Sequence, residues 1–281
     1  MIFCLNSQKS YYITYQKMKN LLLLFSALTL IFTSCSSDDN SSSEDTSILP
    51  KTISYSYPST DLGTNSKSSV TYNGNKIVST IDEDSKTLFT YDGDLILKQE
   101  VFRIDPQGNQ SKSREVLYTY ENGKLKTRIY RTDISAEYPE GNYTQKTVYT
   151  YTSNNLISYV NFLVDRASKL ETKIGEGTLT YESGNLVKEQ QKVSSVITTR
   201  VYEYDTKKNP LKNILGFNLL LNEISGFGKN NATKTTRSAS DYPNPSVYLS
   251  NYIYNDKDFP TKQTSFAGDG KSIEYEIEYT Y

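Results

Sequence analysis

Residues 118–125 read YTYENGKL, and this short stretch decides the fold of the chain. Tyr118 and Tyr120 alternate with polar residues, which is the pattern of a β-strand with one aromatic and one polar face. Asn122-Gly123 follows, a dipeptide that favours tight hairpin turns because both residues tolerate positive φ. The apolar residue that closes the stretch starts a second strand, so the stretch predicts one β-hairpin.

Looser copies of this hairpin recur along the chain. Most copies carry an apolar residue five positions after an anchor tyrosine, and Gly or Asn often stands between the two. The anchor tyrosines are Tyr72, Tyr91, Tyr120, Tyr151, Tyr181, Tyr204 and Tyr254. The repetition predicts an all-β fold, a long antiparallel meander of β-hairpin repeats. Because so broad an aromatic face must be covered, we expect the sheet to curl into a barrel or half-barrel.

One segment interrupts the repeat. Residues 210–224 hold the densest aliphatic cluster of the chain beyond residue 35: Leu211, Ile214, Leu215, Phe217, Leu219, Leu220, Leu221 and Ile224. This composition predicts a short apolar plug, irregular or helical, packed inside the sheet or barrel. The links at 105–113, 132–142 and 165–177 are polar and are predicted to be loops.

The start of the chain predicts export. A basic stretch at 17–19 precedes an apolar run at 21–32, and Cys35 follows a Thr-Ser pair. These are the n-region, h-region and cleavage site of a secretory signal. The apolar run is too short to cross a hydrocarbon core of about 30 Å as a helix. We therefore predict a lipoprotein signal peptide over 1–34, with translation starting at Met18.

Thr33-Ser34-Cys35 resembles the bacterial lipobox, whose cysteine is acylated, although Phe32 stands where leucine is commoner. The resemblance implies lipidation of Cys35 and a membrane anchor; a plain secreted protein is the alternative. Residues 36–45 are acidic and serine-rich, so we predict a flexible linker over 35–50. This stretch resembles the surface-export signal of Bacteroidetes lipoproteins. That likeness implies an outer-membrane protein at the cell surface, with the periplasmic face as the alternative.

Composition excludes several classes of function. Beyond Cys35 the sequence contains no His, no Trp and no further Cys. A disulfide, a His-assisted nucleophile and the usual Cys/His zinc site are therefore excluded. The chain has 31 basic and 32 acidic residues and a net charge of −1, which gives no indication of nucleic-acid binding. No cofactor and no metal site is predicted.

The repeat resembles a known class of sequences. Tyr91-Asp92-Gly93, Tyr204-Asp205 and residues 120–125 look like YD repeats of the Rhs type. The chain from about residue 53 onward is more similar to small tyrosine-repeat lipoproteins of Bacteroidetes of unknown function, some with a porin-like or barrel-like antiparallel sheet. The resemblance implies a single tyrosine-repeat β domain over 51–281. The units are too few to form the toxin-enclosing shell of large Rhs proteins.

The repeated tyrosines are the candidate site. They are interpreted either as core, since Tyr favours half-buried strands, or as a ligand-facing surface. The candidates are Tyr118, Tyr120, Tyr149, Tyr151, Tyr202, Tyr204, Tyr252 and Tyr254.

The function predicted from these features is a non-catalytic binding or interaction module of the cell envelope. Its expected partners are the membrane, through Cys35, and a glycan, a peptide or an envelope protein. A carboxylate-dependent glycan hydrolase and a structural envelope scaffold are the alternatives. The acidic cluster at 82–84 and the pair Glu276 and Glu278 occupy positions where charges are usually solvated, so no catalytic residue is predicted.

Overall fold

A computed structural model describes residues 48–224, 226 and 228–281. The predicted signal peptide, Cys35 and most of the predicted linker lie outside these residues. The described chain forms the antiparallel strands β1 (Thr52–Ser56), β2 (Ser66–Asn73), β3 (Lys76–Ile81), β4 (Ser85–Asp92), β5 (Leu95–Ile104), β6 (Gln110–Glu121), β7 (Lys124–Thr132), β8 (Tyr143–Tyr151), β9 (Leu156–Val164), β10 (Glu171–Glu182), β11 (Asn185–Val193), β12 (Val196–Tyr204), β13 (Ala232–Ala239), β14 (Tyr242–Tyr254), β15 (Pro260–Phe266) and β16 (Ile273–Thr280). The prediction of an all-β meander is confirmed.

The meander closes into a complete barrel rather than a half-barrel. Each strand pairs with its neighbours in sequence, and β1 also pairs with β16, with Thr52 opposite Thr280. The Lys51 amide donates to the Thr280 carbonyl at 2.6 Å, and the two threonine hydroxyls lie 2.8 Å apart. Closure pairs every strand on both sides, so the described sheet has no free edge.

The tight turns fall where the dipeptides predict them, in two geometries. Asn122 and Gly123 both have positive φ, as a type I′ turn requires, because each is a central residue of the loop between β6 and β7. In the hairpin of β2 and β3 the central residues are Gly74 and Asn75, and of these Gly74 alone has positive φ. That hairpin therefore uses the type II′ arrangement, with glycine in the first central position.

A register shift accompanies many of these turns. The ladder slips between the threonine and the anchor tyrosine in at least four hairpins, for example between Thr119 and Tyr120. Such a bulge places two residues of one strand opposite one residue of its partner. As a result Leu125 faces inward, whereas Thr127 lies outside with Thr119 and Arg128 returns to the inside opposite Tyr118.

The core occupies the barrel interior. Ile96, Leu125, Tyr149 and Leu179 are almost fully buried there. Buried plug residues join the same cluster, namely Ile214, Phe217 and Leu220. Two 3₁₀ turns, Phe217–Leu219 and Leu221–Glu223, shape this segment. We call residues 210–224 the plug, and its predicted packing inside the barrel is confirmed.

The outer face of the barrel carries charged residues together with exposed apolar ones such as Val201 and Ile253. Lysines lie on this face near the middle of several strands, as Lys98 does on β5 and Lys146 on β8. Ion pairs run along the face, joining Lys98 to Glu100 at 2.9 Å and Lys262 to Glu276 at 2.8 Å. No helix in the described part of the chain is long and apolar enough to cross a membrane.

Position 177 requires glycine, because residues of the two adjacent strands lie very close to its Cα. A Cβ on Gly177 would lie 2.3 Å from the Gln190 carbonyl oxygen and 2.5 Å from Cζ of Tyr159. Gly177→Ala is therefore expected to lower the free energy of unfolding by about 1–3 kcal/mol in a urea titration. Gly268→Ala is the matched control, because a Cβ there meets open space. Equal stability of both variants would refute the proposed clash.

Candidate functional site

The plug packs against one side of the barrel wall. The Phe217 ring lies 6.2 Å from the Phe89 ring of β4, and the Tyr91 hydroxyl donates to the Leu215 carbonyl at 3.0 Å. The Leu215 amide in turn donates to the Asn75 carbonyl in the first tight turn at 2.9 Å. These contacts place the plug at the end of the barrel that carries the glycine turns.

A buried ion pair links the plug to the wall. Glu223, in the second 3₁₀ turn, pairs with Arg128 of β7 and accepts a hydrogen bond from the Tyr149 hydroxyl of β8. Side chains of Glu223 and Arg128 are 14% and 19% exposed. A charge pair so far removed from water depends on both partners, because either charge alone would be poorly solvated.

A second polar link lies beside the first. Asn222 of the plug donates from Nδ2 to Glu189 of β11 at 3.1 Å. Glu189 is also paired with Arg200 of β12 at 3.1 Å and accepts from the Tyr159 hydroxyl at 3.4 Å. The carboxylate of Glu189 is therefore held by groups from two strands, β9 and β12, and from the plug, and its charge is balanced by one guanidinium.

Burial raises the pKa of Glu223, and the nearby Glu189 adds to this, whereas Arg128 and the Tyr149 hydroxyl lower it less than burial raises it. The folded state therefore binds the proton more tightly than the unfolded state. This contribution to stability is complete below the ordinary carboxyl pKa and is lost as pH rises through the raised value. Glu223→Gln is expected to remove this downward slope, measured by urea unfolding between pH 4 and pH 7. An unchanged slope in the variant would contradict the assignment.

A cavity of about 470 Å³ lies on the other side of the interior. It extends from the plug towards the rim opposite the glycine turns, where β1 ends and β16 begins. Its plug side carries the apolar residues Leu211, Leu221 and Ile224 beside Asn222. Its wall side carries tyrosines of β1, β12, β14 and β16: Tyr55, Tyr202, Tyr204, Tyr248, Tyr252, Tyr275 and Tyr279.

The predicted site tyrosines all lie inside the barrel but divide between two surroundings. Tyr118 and Tyr149 are buried, and Tyr120 and Tyr151 pack against the same core. In contrast, Tyr202, Tyr204 and Tyr252 line the cavity. Tyr254 lies beside Tyr252 and donates to Asp205. The tyrosines of β6 and β8 therefore belong to the core, whereas those of β12 and β14 lie at or beside an unfilled cavity.

Two of the cavity phenols, Tyr202 and Tyr252, stay protonated at neutral pH. Burial raises the pKa of Tyr202 to about 12, and Glu189 reinforces the shift. Burial and then the Asp205 carboxylate raise the pKa of Tyr252 above its ordinary range. These hydroxyls therefore act as hydrogen-bond donors and acceptors rather than as phenolate nucleophiles.

The acidic residues considered in the sequence serve local structure. Asp82 accepts hydrogen bonds from the amides of Asp84 and Ser85 in the link between β3 and β4. Glu276 pairs with Lys262 and accepts from Thr264 on the outer face. Within the described residues there is no cluster of three or more acidic, His or Cys side chains able to hold a metal ion.

Comparison with known proteins places the fold. No protein-family model and no curated protein matches the chain. A porin-like protein from Bacteroides vulgatus ATCC 8482 is similar in structure, with a TM-score of 0.56 and 14% identity over 83% of this chain and 98% of that one. A porin-like protein from Bacteroides uniformis ATCC 8492 has a TM-score of 0.47 and 11% identity, over 82% of this chain and 97% of that one. At this identity the first likeness shows a shared barrel fold.

Proposed function

We propose that this chain is a lipid-anchored envelope protein whose barrel binds a small ligand in its internal cavity and catalyses no reaction. The cavity is the observation that carries the proposal. The plug packs against β4 to β8, whereas about 470 Å³ beside β12 to β16 and β1 is left unfilled by protein. Ligand sites commonly measure about 300–1,000 Å³ and combine apolar walls with a few polar groups. A barrel serving as a scaffold alone has no need of such a space.

The proposed location rests on the start of the chain and on the fold. The lipobox-like sequence before Cys35 supplies the proposed anchor, and two acyl chains hold a protein stably at a membrane. A barrel fold shared with a porin-like Bacteroides protein is consistent with an envelope setting. We propose the outer membrane, at the cell surface, with the periplasmic face as the alternative.

A conducting pore is the less favoured function. The plug occupies part of the lumen, and Arg128, Glu223 and Tyr149 bind it to the wall. The outer face also carries lysines near the strand middles, each of which costs about 2–4 kcal/mol at the centre of a bilayer. Both features favour a barrel that stands in water.

A glycan hydrolase is the second alternative, since two carboxylates suffice for that chemistry. Glu189 and Glu274 both line the cavity. Glu189, however, is engaged by Arg200, Asn222 and Tyr159, which favours a structural role for its charge. Product release from a polysaccharide, lost in Glu274→Gln, would support the hydrolase instead.

Native mass spectrometry of the full-length protein in detergent, mixed with the small-molecule extract of bacterial envelopes, tests the proposal. We expect a saturable adduct that Ser265→Phe abolishes, because Ser265 lines the cavity and is 4% exposed. Thr264→Phe, the neighbouring residue on the outer face, should retain the adduct. No adduct, or one that both variants retain, would overturn internal binding.

A further inference from the structure

We infer that the cavity takes a neutral, hydroxyl-rich ligand with an apolar face, the chemistry of a short uncharged oligosaccharide. This inference rests on the proposed binding function and specifies its ligand class. It comes from three properties of the cavity wall: tyrosine hydroxyls without a protein partner, half-buried aromatic rings beside apolar plug residues, and the absence of a free cation among the described lining residues.

Two buried amide oxygens on the cavity wall lack a donor. Among the described residues, Oδ1 of Asn222 and Oδ1 of Asn231 have no hydrogen-bond partner. The orientation of each amide is fixed by its nitrogen, which donates from Asn222 to Glu189 at 3.1 Å and from Asn231 to the Lys208 carbonyl at 3.1 Å. Both oxygens expose almost no surface, even to the cavity, so a bound ligand does not reach them and its polar contacts fall to the tyrosine hydroxyls.

The tyrosines add donors and flat apolar surface. Tyr275 lies 6.3 Å from Tyr55 and 6.1 Å from Tyr57, ring centre to ring centre, near the rim. The described residues offer no hydrogen-bond partner to the hydroxyls of Tyr248 and Tyr275. A pyranose ring matches this wall, because its C–H face packs on aromatic carbon while its hydroxyls pair with the phenols.

The charges of the cavity disfavour an anion. Lys234 borders the cavity, but it lies opposite Glu203 on the outer face, where its ammonium pairs with the Glu203 carboxylate at 2.7 Å. Glu189 is balanced by Arg200, and Glu274 adds a further carboxylate. An acidic sugar or a phosphate would meet these carboxylates without a free cation to pair with, and its burial would be unfavourable.

Calorimetric titration of the full-length protein in detergent tests the ligand class. The probes are neutral disaccharides (cellobiose, maltose, lactose and diacetylchitobiose), the charged disaccharides digalacturonate and chitobiose amine, and a neutral tetrapeptide. We expect saturable binding of a neutral disaccharide that Ser265→Phe abolishes. Tyr275→Phe should weaken it about two- to tenfold, the value of one hydrogen bond. Tyr143→Phe, on an exposed residue of β8, should leave it unchanged.

The outcomes separate the two proposals. Binding of a charged disaccharide or the tetrapeptide alone, abolished by Ser265→Phe, would overturn the ligand class and leave internal binding intact. Neutral-sugar binding that survives Ser265→Phe would place the sugar outside the cavity and overturn the inference. Binding of none of the probes would overturn the ligand class, and the envelope-extract experiment would then decide internal binding by itself.

Discussion

The barrel expressed from residue 48 to residue 281, without the preceding segment, is expected to remain in the aqueous phase of a Triton X-114 partition. The same chain with its lipidated Cys35 should move almost entirely into the detergent phase. The difference arises because the outer face carries Lys98, Lys146 and Lys262 on different strands. A lipid-facing lysine at the centre of a barrel strand costs about 2–4 kcal/mol.

The control for this partition experiment is a substitution on the outer face. Thr127→Leu replaces an outward polar residue of β7 and should not move the shortened barrel into detergent, since the surrounding charges remain. A shortened barrel that requires detergent to stay in solution, or that conducts ions across a planar bilayer, would contradict the proposal that the wall stands in water.

Arg128→Met is expected to lower the free energy of unfolding by about 3–5 kcal/mol at pH 7, because it leaves Glu223 buried without its cation. The loss should shrink at pH 5, where protonation of Glu223, whose pKa burial already raises, removes the unpaired charge. Guanidinium titrations at the two pH values measure both effects. Arg166→Met is the matched control, since Arg166 lies in a loop over the Tyr138 ring and should cost below about 1 kcal/mol.

A double replacement separates the ion pair from the shape of the site. Arg128→Met with Glu223→Leu removes both charges and keeps apolar volume, so it should recover most of the lost stability. If the double variant is as unstable as Arg128→Met, packing around Arg128 rather than the charge of Glu223 causes the loss.

The repeat predicted the antiparallel meander because each hairpin is determined by residues that are close together in sequence. The alternation of side chains around Tyr118 and the turn at Asn122-Gly123 are determined by residues a few positions apart. The aliphatic segment at 210–224 is likewise recognised from its own composition. Closure of the sheet into a complete barrel could not be predicted from such local patterns. It depends on the pairing of β1 with β16, which lie at opposite ends of the described chain.

The polar links were predicted less well. The expectation of loops over 105–113 and 165–177 was wrong in part, since β6 begins at Gln110 and β10 at Glu171. Polar residues can form strands there because one face of the barrel meets water and the ladder satisfies the backbone. The bulges also hid Arg128, which alternation from Leu125 would place outside.

Some of the charged residues inside the barrel could have been predicted from the sequence. Arg200 lies two residues before Tyr202 and shares its inward face, so strict alternation from the tyrosines would have identified it as an inward cation. Glu189, Asn222 and Glu223 gave no such signal. A bulge in the ladder of β10 and β11 sets the inward direction of Glu189, whereas the positions of Asn222 and Glu223 depend on how the plug folds back onto the wall.

Closure of the sheet by its first and last strands sets the order of events when the chain matures. β1 pairs with β2 on one side, and its other edge stays unpaired until β16, the last strand of the described chain, folds against it. Until β16 is in place, the free edge of β1 is therefore open to pairing with strands of other chains. Because β1 and β16 are paired, they can be joined by a short linker, and new termini can be opened at a glycine turn such as Asn122-Gly123, which is a circular permutation.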